Sequence, residues 1–249
     1  MATIDLNSDL GEGAGTEAAM MPLITSVNIA CGAHAGTERS MRETIRLAKA
    51  SGVSVGAHPG YRDPANFGRR ALAVPVDELV ADLVQQIRTL TAIARSEGVP
   101  VTHVKGHGAL YNAAQHDESV AAAIVLAIQQ SAAGLVLFVF PGSALERAGR
   151  AAGLRVAREG FIDRVYEPDG ALRSRAHADA LITDPGNAAA QAVSFMTDGG
   201  VRANDGSFLE QAVDTLCVHG DTPGAPAILR AARGALVAAG VAVERLRAA

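Results

Sequence analysis

The sequence contains no tryptophan, and aromatic residues make up only 4% of its 249 residues. A hydrophobic core must therefore be built from alanine, valine, leucine and isoleucine. Hydrophobic residues account for 49% of the chain and charged residues for 19%, a balance typical of a folded protein and not of a disordered one. The length suits one large domain or two small ones.

Cysteine, basic charge and long apolar runs are also scarce. The only cysteines, Cys31 and Cys217, cannot form a disulfide scaffold and lack the CxxC spacing of a zinc site, so we interpret them as small buried residues. The net charge of −4 offers no electrostatic footprint for nucleic acid. No apolar run approaches the length of about 18 residues that a membrane span needs. Because the first residues do not resemble a signal peptide, we expect a cytoplasmic protein that binds neither nucleic acid nor membrane.

The chain repeats a pattern of strand, loop and helix about seven times. Strands alternating with helices indicate parallel pairing, and seven units favour a closed barrel, with a doubly wound open sheet as the alternative. No linker or repeat is visible, so we expect one domain over residues 1–249. The predicted strands are Thr3–Asn7, Ser26–Ala30, Val53–Ala57, Val101–Lys105, Leu135–Phe140, Leu154–Glu159 and Asp214–Val218.

Capping residues and hydrophobic periodicity set the predicted helices. One begins after Thr37 and ends at Gly52, and another begins at Pro75. Further helices are predicted over Glu118–Ser131, from Pro141–Ser143 to Ala152, from Asp184 to Met196, and over Pro226–Ala239, with a hairpin at Val201–Leu209.

The stretch Val101–Asn112, VTHVKGHGALYN, is the most informative in the sequence. A short strand breaks at two glycines into a predicted loop that carries Lys105, His107, Tyr111 and Asn112. Glycines beside a lysine and a histidine let backbone and charge approach a small ligand closely. The alternative is a tight turn whose histidine is an ordinary surface residue.

Reactive residues recur at the carboxyl ends of the predicted strands. In chain order they are Asn7, Asp9, Glu12, His34, His58, Lys105, His107, Asp163, Arg164, His219 and Asp221. The opposite strand ends have nothing comparable. Because the carboxyl ends of parallel strands gather on one side in either architecture, we expect a shared pocket. We interpret His103 as a packing residue, and His116 and His177 as surface residues.

A pocket with carboxylates, imidazoles and a lysine suits hydrolysis. Carboxylates and imidazoles can act as general acid and base, and a lysine can stabilise an oxyanion or a phosphate. Aspartate and histidine can also bind a divalent metal, although no HExxH motif is present. No GxxxxGK[ST] occurs, and the glycines of Gly11–Gly15 fit either a phosphate cradle or a flexible turn.

Seven motifs in order resemble those of the LamB/YcsF family: DLNSDLGEG, NIACGAHAG, GAHPGY, FGRR, KGHGALYN, DRVYEPDG and CVHGDTPGA. The resemblance runs from Asp5 to about Gly240. It implies an irregular (β/α)7 barrel, TIM-like and related to polysaccharide deacetylase barrels. It also implies cleavage of 5-oxo-L-proline to L-glutamate coupled to ATP hydrolysis, with ATP as co-substrate together with Mg²⁺, and companion subunits B and C.

The resemblance also implies roles for individual residues. The expected catalytic residues are Asp9, Glu12, Lys105 and Asp221. The expected substrate- or nucleotide-binding residues are Asn7, Asn28, His58, His107, Tyr111, Asn112, Arg164 and His219. If a divalent metal is tightly bound, its expected ligands are Asp9, His34 and His58.

Two other functions remain open on the sequence. One is an amide hydrolase of deacetylase type that depends on a metal and not on ATP. The other is a non-catalytic subunit that binds a lactam or a nucleotide, although the density of titratable residues at one end argues against it.

Overall fold

The computed structural model describes residues 2–246, in which seven parallel strands close into a barrel. The strands are β1 (Thr3–Leu10), β2 (Ser26–Ala30), β3 (Ser54–His58), β4 (Val101–Val104), β5 (Val136–Val139), β6 (Val156–Phe161), β7 (Gly200–Arg202), β8 (Phe208–Glu210), β9 (Thr215–Cys217) and β10 (Ala242–Val243). Strands β1 to β6 pair in sequence, and β9 closes the barrel by pairing with both β6 and β1. The closed barrel confirms the predicted architecture over the open sheet.

Helices surround the barrel. They are α1 (Glu17–Met20), α2 (Glu38–Ser51), α3 (Val76–Ser96), α4 (Gly108–Ala113), α5 (Glu118–Ser131), α6 (Ala144–Ala151), α7 (Pro185–Thr197) and α8 (Ala225–Ala238). The hydrophobic core lies between the barrel and this layer, where apolar strand residues such as Leu6 and Val55 pack with Ile45 and Leu83 of the helices. None of the helices in residues 2–246 has the length and apolar character to cross a membrane.

Local capping chemistry explains why the helix predictions are confirmed. Thr37 accepts a hydrogen bond from the Ser40 backbone at the start of α2, and Gly52 ends that helix in the left-handed conformation. Asp117 and Asp184 cap α5 and α7 in the same way. The predicted hairpin is formed by β7 and β8, which pair antiparallel between β6 and β9 in the chain.

Strand β1 is longer than predicted, and this changes where its polar residues lie. It continues to Leu10, so Asn7, predicted as the last residue of the strand, and Asp9, predicted to follow it, both lie within the strand. Alternate residues of a strand face opposite sides, which turns Asp5, Asn7 and Asp9 to the barrel interior and Leu6 to the helices. The prediction failed here because polar residues inside a barrel resemble a loop in sequence.

Three further elements were not predicted, the first of them the short helix α1. The segment after His107 forms α4 and not a loop, because Ala109, Leu110 and Tyr111 are buried against the rest of the molecule. Strand β10 pairs with Thr3 and Ile4 of β1 and lies outside the barrel circuit.

Candidate active site

A pocket of about 480 Å³ opens at the carboxyl ends of the barrel strands. Its floor and walls include Asp9, Lys105, His107, Tyr111, Phe161 and His219, and its mouth includes Arg69, Asn112, Arg164 and Arg175. The loops after β3, β4, β6 and β9 all contribute, as expected for an active site on a parallel barrel.

A buried lysine forms the centre of the floor. Lys105 Nζ lies 2.9 Å from Asp9 Oδ1, 2.8 Å from Glu159 Oε1 and 3.1 Å from Cys217 Sγ. Burial alone lowers the pKa of Lys105, but the facing charges of Asp9 and Glu159 outweigh burial and raise that pKa well above its usual value. Lys105 is therefore protonated, and its ammonium group lies between the carboxylates of Asp9 and Glu159.

Asp9 links this lysine to the surrounding histidines. Its Oδ1 accepts a hydrogen bond of 2.8 Å from Asn28 Nδ2, and its Oδ2 lies 3.4 Å from His58 Nε2. Burial raises the pKa of Asp9, but His58 and Lys105 outweigh it and hold the pKa well below the usual value. The carboxylate is therefore ionised at neutral pH, and it presents negative charge to the pocket.

Beside Asp9 lies a group that we call the histidine cluster, made of Glu12, His34, His58 and His107. One ligand atom from each residue lies within 4.8 Å of all the others, so this is one of two groups of described residues that could hold a metal ion. Burial lowers the pKa of His34 to about 4 although Glu12 lies 3.0 Å from its Nε2. The rings of His34 and His107 stack with centroids 3.6 Å apart.

His219 faces the pocket in the arrangement of an oriented general base. Asp163 lies 3.0 Å from His219 Nδ1 and also accepts hydrogen bonds from the His219 backbone N–H and the Thr222 hydroxyl. Burial raises the pKa of Asp163, but these partners outweigh it and hold the pKa at about 2. Nδ1 is thus fixed as the donor to Asp163, which leaves Nε2, 3.9 Å from Asp9 Oδ2, directed at the pocket.

Three guanidinium groups form what we call the arginine rim: Arg69, Arg164 and Arg175. Asp221 forms ion pairs with Arg69 and with Arg175, the latter at 3.1 Å. Arg164 donates to the backbone carbonyls of Ala180 and Arg173, and within residues 2–246 it forms no ion pair. Burial and the nearby Arg175 lower the pKa of Arg164 to about 10. The rim is therefore net positive and suits an anionic group.

The site residues predicted from the sequence lie at the pocket surface, deeper inside the barrel or at the pocket mouth. Those at the pocket surface are Asp9, Lys105, His107, Tyr111, Asn112, Arg164 and His219. Tyr111 is buried, and its hydroxyl has no hydrogen-bond partner among the described residues. Asn7 and Asn28 lie deeper, fully buried in the barrel, where Asn7 donates to Glu159 and Thr215. Asp221 lies at the mouth, with its carboxylate engaged by arginines.

The predicted metal set of Asp9, His34 and His58 is regrouped in the structure. His34 and His58 lie with Glu12 and His107, whereas Asp9 lies against Lys105. The packing predictions are confirmed: His103 is buried and stacked on Phe138, and both cysteines are free and buried. His116 and His177 are exposed as predicted.

Sequence reasoning missed several residues that shape the site. Glu159 contacts Lys105 from inside β6, and Arg69 and Arg175 reach the rim from long loops. Glu159 had one signal, an acidic residue at the end of a predicted buried strand. Arg69 belongs to FGRR, a motif that gave no role, and Arg175 had no signal at all.

The fold is a TIM-like barrel, and its acid–base groups lie at the carboxyl ends of the strands, where barrel enzymes have their active sites. The protein is therefore an enzyme of the TIM-like barrel type. A peptidoglycan deacetylase from Bacillus subtilis shares the fold, with a TM-score of 0.50 at 13% identity over 98% of this chain and 88% of that one. Residues 4–249 match the LamB/YcsF family, to which the chain therefore belongs.

Two similar proteins have the same extent as this chain. The A subunit of 5-oxoprolinase from Symbiobacterium thermophilum is 50% identical over 96% of this chain and 94% of its own length. The crystal structure of a lactam utilization protein from Thermus thermophilus has a TM-score of 0.91 at 45% identity, covering 98% of this chain and all of that one. The resemblance found in the motifs is thus confirmed along the whole chain.

Proposed function

We propose that this chain is the lactam-opening A subunit of a 5-oxoprolinase, which hydrolyses 5-oxo-L-proline to L-glutamate. The observation that carries the proposal is the full-length similarity, at 50% identity, to a protein named for that activity. The site agrees with it, since a pocket of about 480 Å³ with acid–base groups at its floor accommodates a small cyclic amide. We place the reaction in the cytoplasm, as expected from the sequence.

We further propose that the reaction uses ATP with Mg²⁺ and requires companion subunits B and C. A five-membered lactam is a poor electrophile, and phosphorylation of its oxygen would make the ring carbon open to attack by water. One 5-oxo-L-proline, one ATP and two water molecules then yield ADP, phosphate and L-glutamate. The word "subunit" in the name of the similar protein supports an assembly of several chains.

Within this chain we assign the role of general base to His219, with Asp163 as its positioning residue. Its Nε2 faces the pocket, and imidazole is the base most often used near neutral pH. Ionised Asp9, held by Lys105, lies next to Nε2 and would stabilise positive charge that develops on the ring when it takes a proton from water. Asp9 therefore acts in this proposal through electrostatics and positioning.

The arginine rim suits the carboxylate of 5-oxoproline. Arg164 is a buried guanidinium that donates to backbone carbonyls and has no ion-pair partner among the described residues, and a substrate carboxylate would supply one. This assignment orients the lactam with its ring toward Asp9 and His219 at the floor and its carboxylate toward the mouth.

The test is glutamate release from 5-oxoproline with ATP, first with this chain alone and then with its candidate partner subunits. We expect activity only in the mixture and only with ATP. ATP-independent release of glutamate by this chain alone would contradict the coupling. A verified, assembled mixture without activity would favour the amide hydrolase of deacetylase type, which an acetylated amide substrate would then reveal.

A substitution at His219 distinguishes the third function, that of a non-catalytic binding subunit, from the catalytic role. We expect the assembled mixture to lose activity when His219 is replaced by Gln. Full activity of that variant in an intact complex would assign the chemistry to another chain.

A further inference from the structure

The histidine cluster brings together side chains from the loops or ends of four consecutive strands. Glu12 follows β1, His34 follows β2, His58 ends β3 and His107 follows β4. All four side chains are nearly inaccessible to solvent. We propose that this cluster binds a divalent transition-metal ion, with Zn²⁺ as the first candidate. This inference does not depend on which reaction the pocket performs.

The spacing of the four ligand atoms fits a common centre. Glu12 Oε1 lies 3.0 Å from His34 Nε2, 3.1 Å from His107 Nδ1 and 3.7 Å from His58 Nε2, and the two nitrogens His107 Nδ1 and His58 Nε2 lie 3.0 Å apart. Ligands bound about 2.0–2.2 Å from a tetrahedral metal ion are separated from one another by about 3.3–3.6 Å. These four separations lie near that range, and the remaining two, both from His34, are within 4.8 Å. The His34 ring, which stacks parallel on His107, must turn to direct its Nε2 at a shared ion.

Backbone carbonyls fix which ring nitrogens face that centre. His58 Nδ1 donates to the Lys105 carbonyl and His107 Nε2 donates to the Phe67 carbonyl, both at 2.9 Å. A carbonyl oxygen can only accept, so each of these nitrogens carries the hydrogen. In the neutral rings, His58 Nε2 and His107 Nδ1 then carry no hydrogen, and their lone pairs point at one another. Such outer carbonyl partners are the usual means by which metal-binding histidines are oriented.

One of these outer partners is held by an unusual backbone. Phe67 has a φ of +55°, and it is the one non-glycine residue with positive φ in the described part of the chain. A side-chain-bearing residue in this region costs free energy and persists where the surroundings require it. This residue ends the short 3-10 turn Pro64–Asn66 and presents its carbonyl to His107, so that the backbone helps to fix the tautomer of that ring.

A single hydrogen on His107 Nδ1 does not satisfy the ligand atoms of the histidine cluster. A hydrogen on His107 Nδ1 reaches both Glu12 and His58 only as a bent, divided bond, because those two acceptors lie 3.7 Å apart. Without that hydrogen, the Nδ1 lone pair faces the Glu12 carboxylate at 3.1 Å, which is repulsive. A cation between the four atoms is attracted by all of them at once.

The donor set selects the kind of ion. Three imidazoles and one carboxylate suit Zn²⁺ and its neighbours, whereas Mg²⁺ and Ca²⁺ require mostly oxygen ligands. The other close group of potential ligands, Asp9, Cys217 and His219, is excluded because Lys105 Nζ lies within 3.1 Å of two of its members. A site with four protein ligands is closed, so the ion would join the four loops around the pocket.

The experiment uses the untagged full-length chain, expressed with added Zn²⁺ and dialysed. We expect about one zinc ion per chain by elemental analysis. Co²⁺ added to the chelator-stripped protein is expected to give the visible absorption bands of a tetrahedral site, and Zn²⁺ to raise its melting temperature. The variant His58→Gln is expected to bind at least about tenfold more weakly, given the effects of disturbing such sites. The matched control is His177→Gln, an exposed histidine outside the cluster.

Three results would overturn the proposal. The first is a wild-type chain that retains almost no zinc and whose melting temperature does not respond to Zn²⁺. The second is Co²⁺ bound with octahedral and not tetrahedral bands. The third is equal loss of zinc from His177→Gln and His58→Gln, which would place the ion elsewhere. Since the first two measurements use the wild-type sequence, they decide the question even if His58→Gln does not fold.

Discussion

At the scale of single residues, the chemistry of the pocket depends on which side chains are charged and on which ring nitrogens carry a hydrogen. Asp9 and Lys105 are each fixed in the charged form by the other, while His219 receives its orientation from Asp163. An ionised aspartate with a low pKa is a weak base, whereas an imidazole oriented by a carboxylate is a good one near neutral pH. The residue types expected from the sequence are thus present, and we propose different roles for two of them, with His219 as the base and Asp9 as its electrostatic partner.

The first prediction concerns Asp163. Replacing Asp163 by Asn presents an amide to the His219 backbone N–H and ring, so that the ring is no longer held with Nε2 as the acceptor. We expect kcat of the assembled enzyme to fall by about 10²–10⁴-fold, as when a catalytic histidine loses its orienting carboxylate. The matched control is Asp179→Asn, an exposed carboxylate whose one ion pair among residues 2–246 is with Arg173. A kcat within about twofold of wild type in a folded Asp163→Asn protein would remove His219 as the base.

The second prediction concerns the buried lysine. Replacing Lys105 by Met leaves the carboxylates of Asp9 and Glu159 buried and close together without a counter-charge. We expect the free energy of unfolding to fall by about 3–5 kcal/mol, the usual cost of removing one partner of a buried ion pair. Urea unfolding at neutral pH measures it.

The control for this prediction is built into the sequence, since Lys49 is the only other lysine. Lys49 is exposed and donates to a single backbone carbonyl, that of Glu97. We expect Lys49→Met to stay within about 0.5 kcal/mol of wild type. Similar losses from both substitutions would show that the network around Lys105 contributes little.

Among the helices and strands, the sequence predicts the elements whose signals are local. Helix α5 is predicted to the residue because Asp117 caps it and its buried face follows a helical period. Helix α4 was missed because its six residues are stabilised by burial of Ala109, Leu110 and Tyr111 and not by their own pattern. The end of β1 was missed because its polar residues find partners on other strands, such as Thr215 for Asn7.

The same distinction applies to the site. The sequence predicted that reactive residues gather at one end of the barrel, because that follows from strand order alone. It could not predict that Lys105 forms an ion pair with Glu159 as well as with Asp9. Nor could it predict that Arg175 reaches the pocket from a long loop. Those contacts depend on side-chain distances between segments that lie far apart in the chain.

The third prediction concerns the packing of β3 against β4. A Cβ on Gly56 would overlap the His103 ring, which is buried and stacked on Phe138 with centroids 4.4 Å apart. We expect Gly56→Ala to lower the free energy of unfolding by about 1–3 kcal/mol through overpacking. Chemical denaturation measures the change.

A second glycine gives the opposite expectation. Gly234 lies on the exposed side of α8 and has open space around its Cβ position. Gly234→Ala is expected to raise the free energy of unfolding by about 0.5–1 kcal/mol, since alanine favours a helix interior. Equal effects at both positions would show that the space beside His103 is not tightly filled.

Across the molecule as a whole, the barrel fixes the pocket floor while long loops build its mouth. Asp221, which follows β9, forms ion pairs with Arg69 from the loop after β3 and with Arg175 from the loop after β6. One carboxylate therefore holds two loops that are far apart in sequence. From its position at the mouth we propose that it arranges the arginine rim and does not take part in proton transfer.

The fourth prediction separates these two roles of Asp221. Asp221→Asn weakens both ion pairs and loosens the rim that we assign to the substrate carboxylate. We expect KM for 5-oxoproline to rise by about 3–10-fold while kcat changes less than about twofold, the pattern of lost binding without lost transition-state stabilisation. Steady-state kinetics of the assembled enzyme measure both. The control is Asp205→Asn, an exposed carboxylate in the hairpin turn that accepts hydrogen bonds from Ser207 and no other side chain in the described part of the chain.

The outcome decides between a structural and a chemical role for the mouth of the pocket. A fall in kcat of about a hundredfold or more at unchanged KM would restore Asp221 to the catalytic group that the family resemblance implies for it. A rise in KM that Arg175→Gln reproduces, and that the double variant does not increase further, would show that Asp221 acts through Arg175. In that case the reaction is confined to side chains held by the barrel itself, and the loops select the substrate.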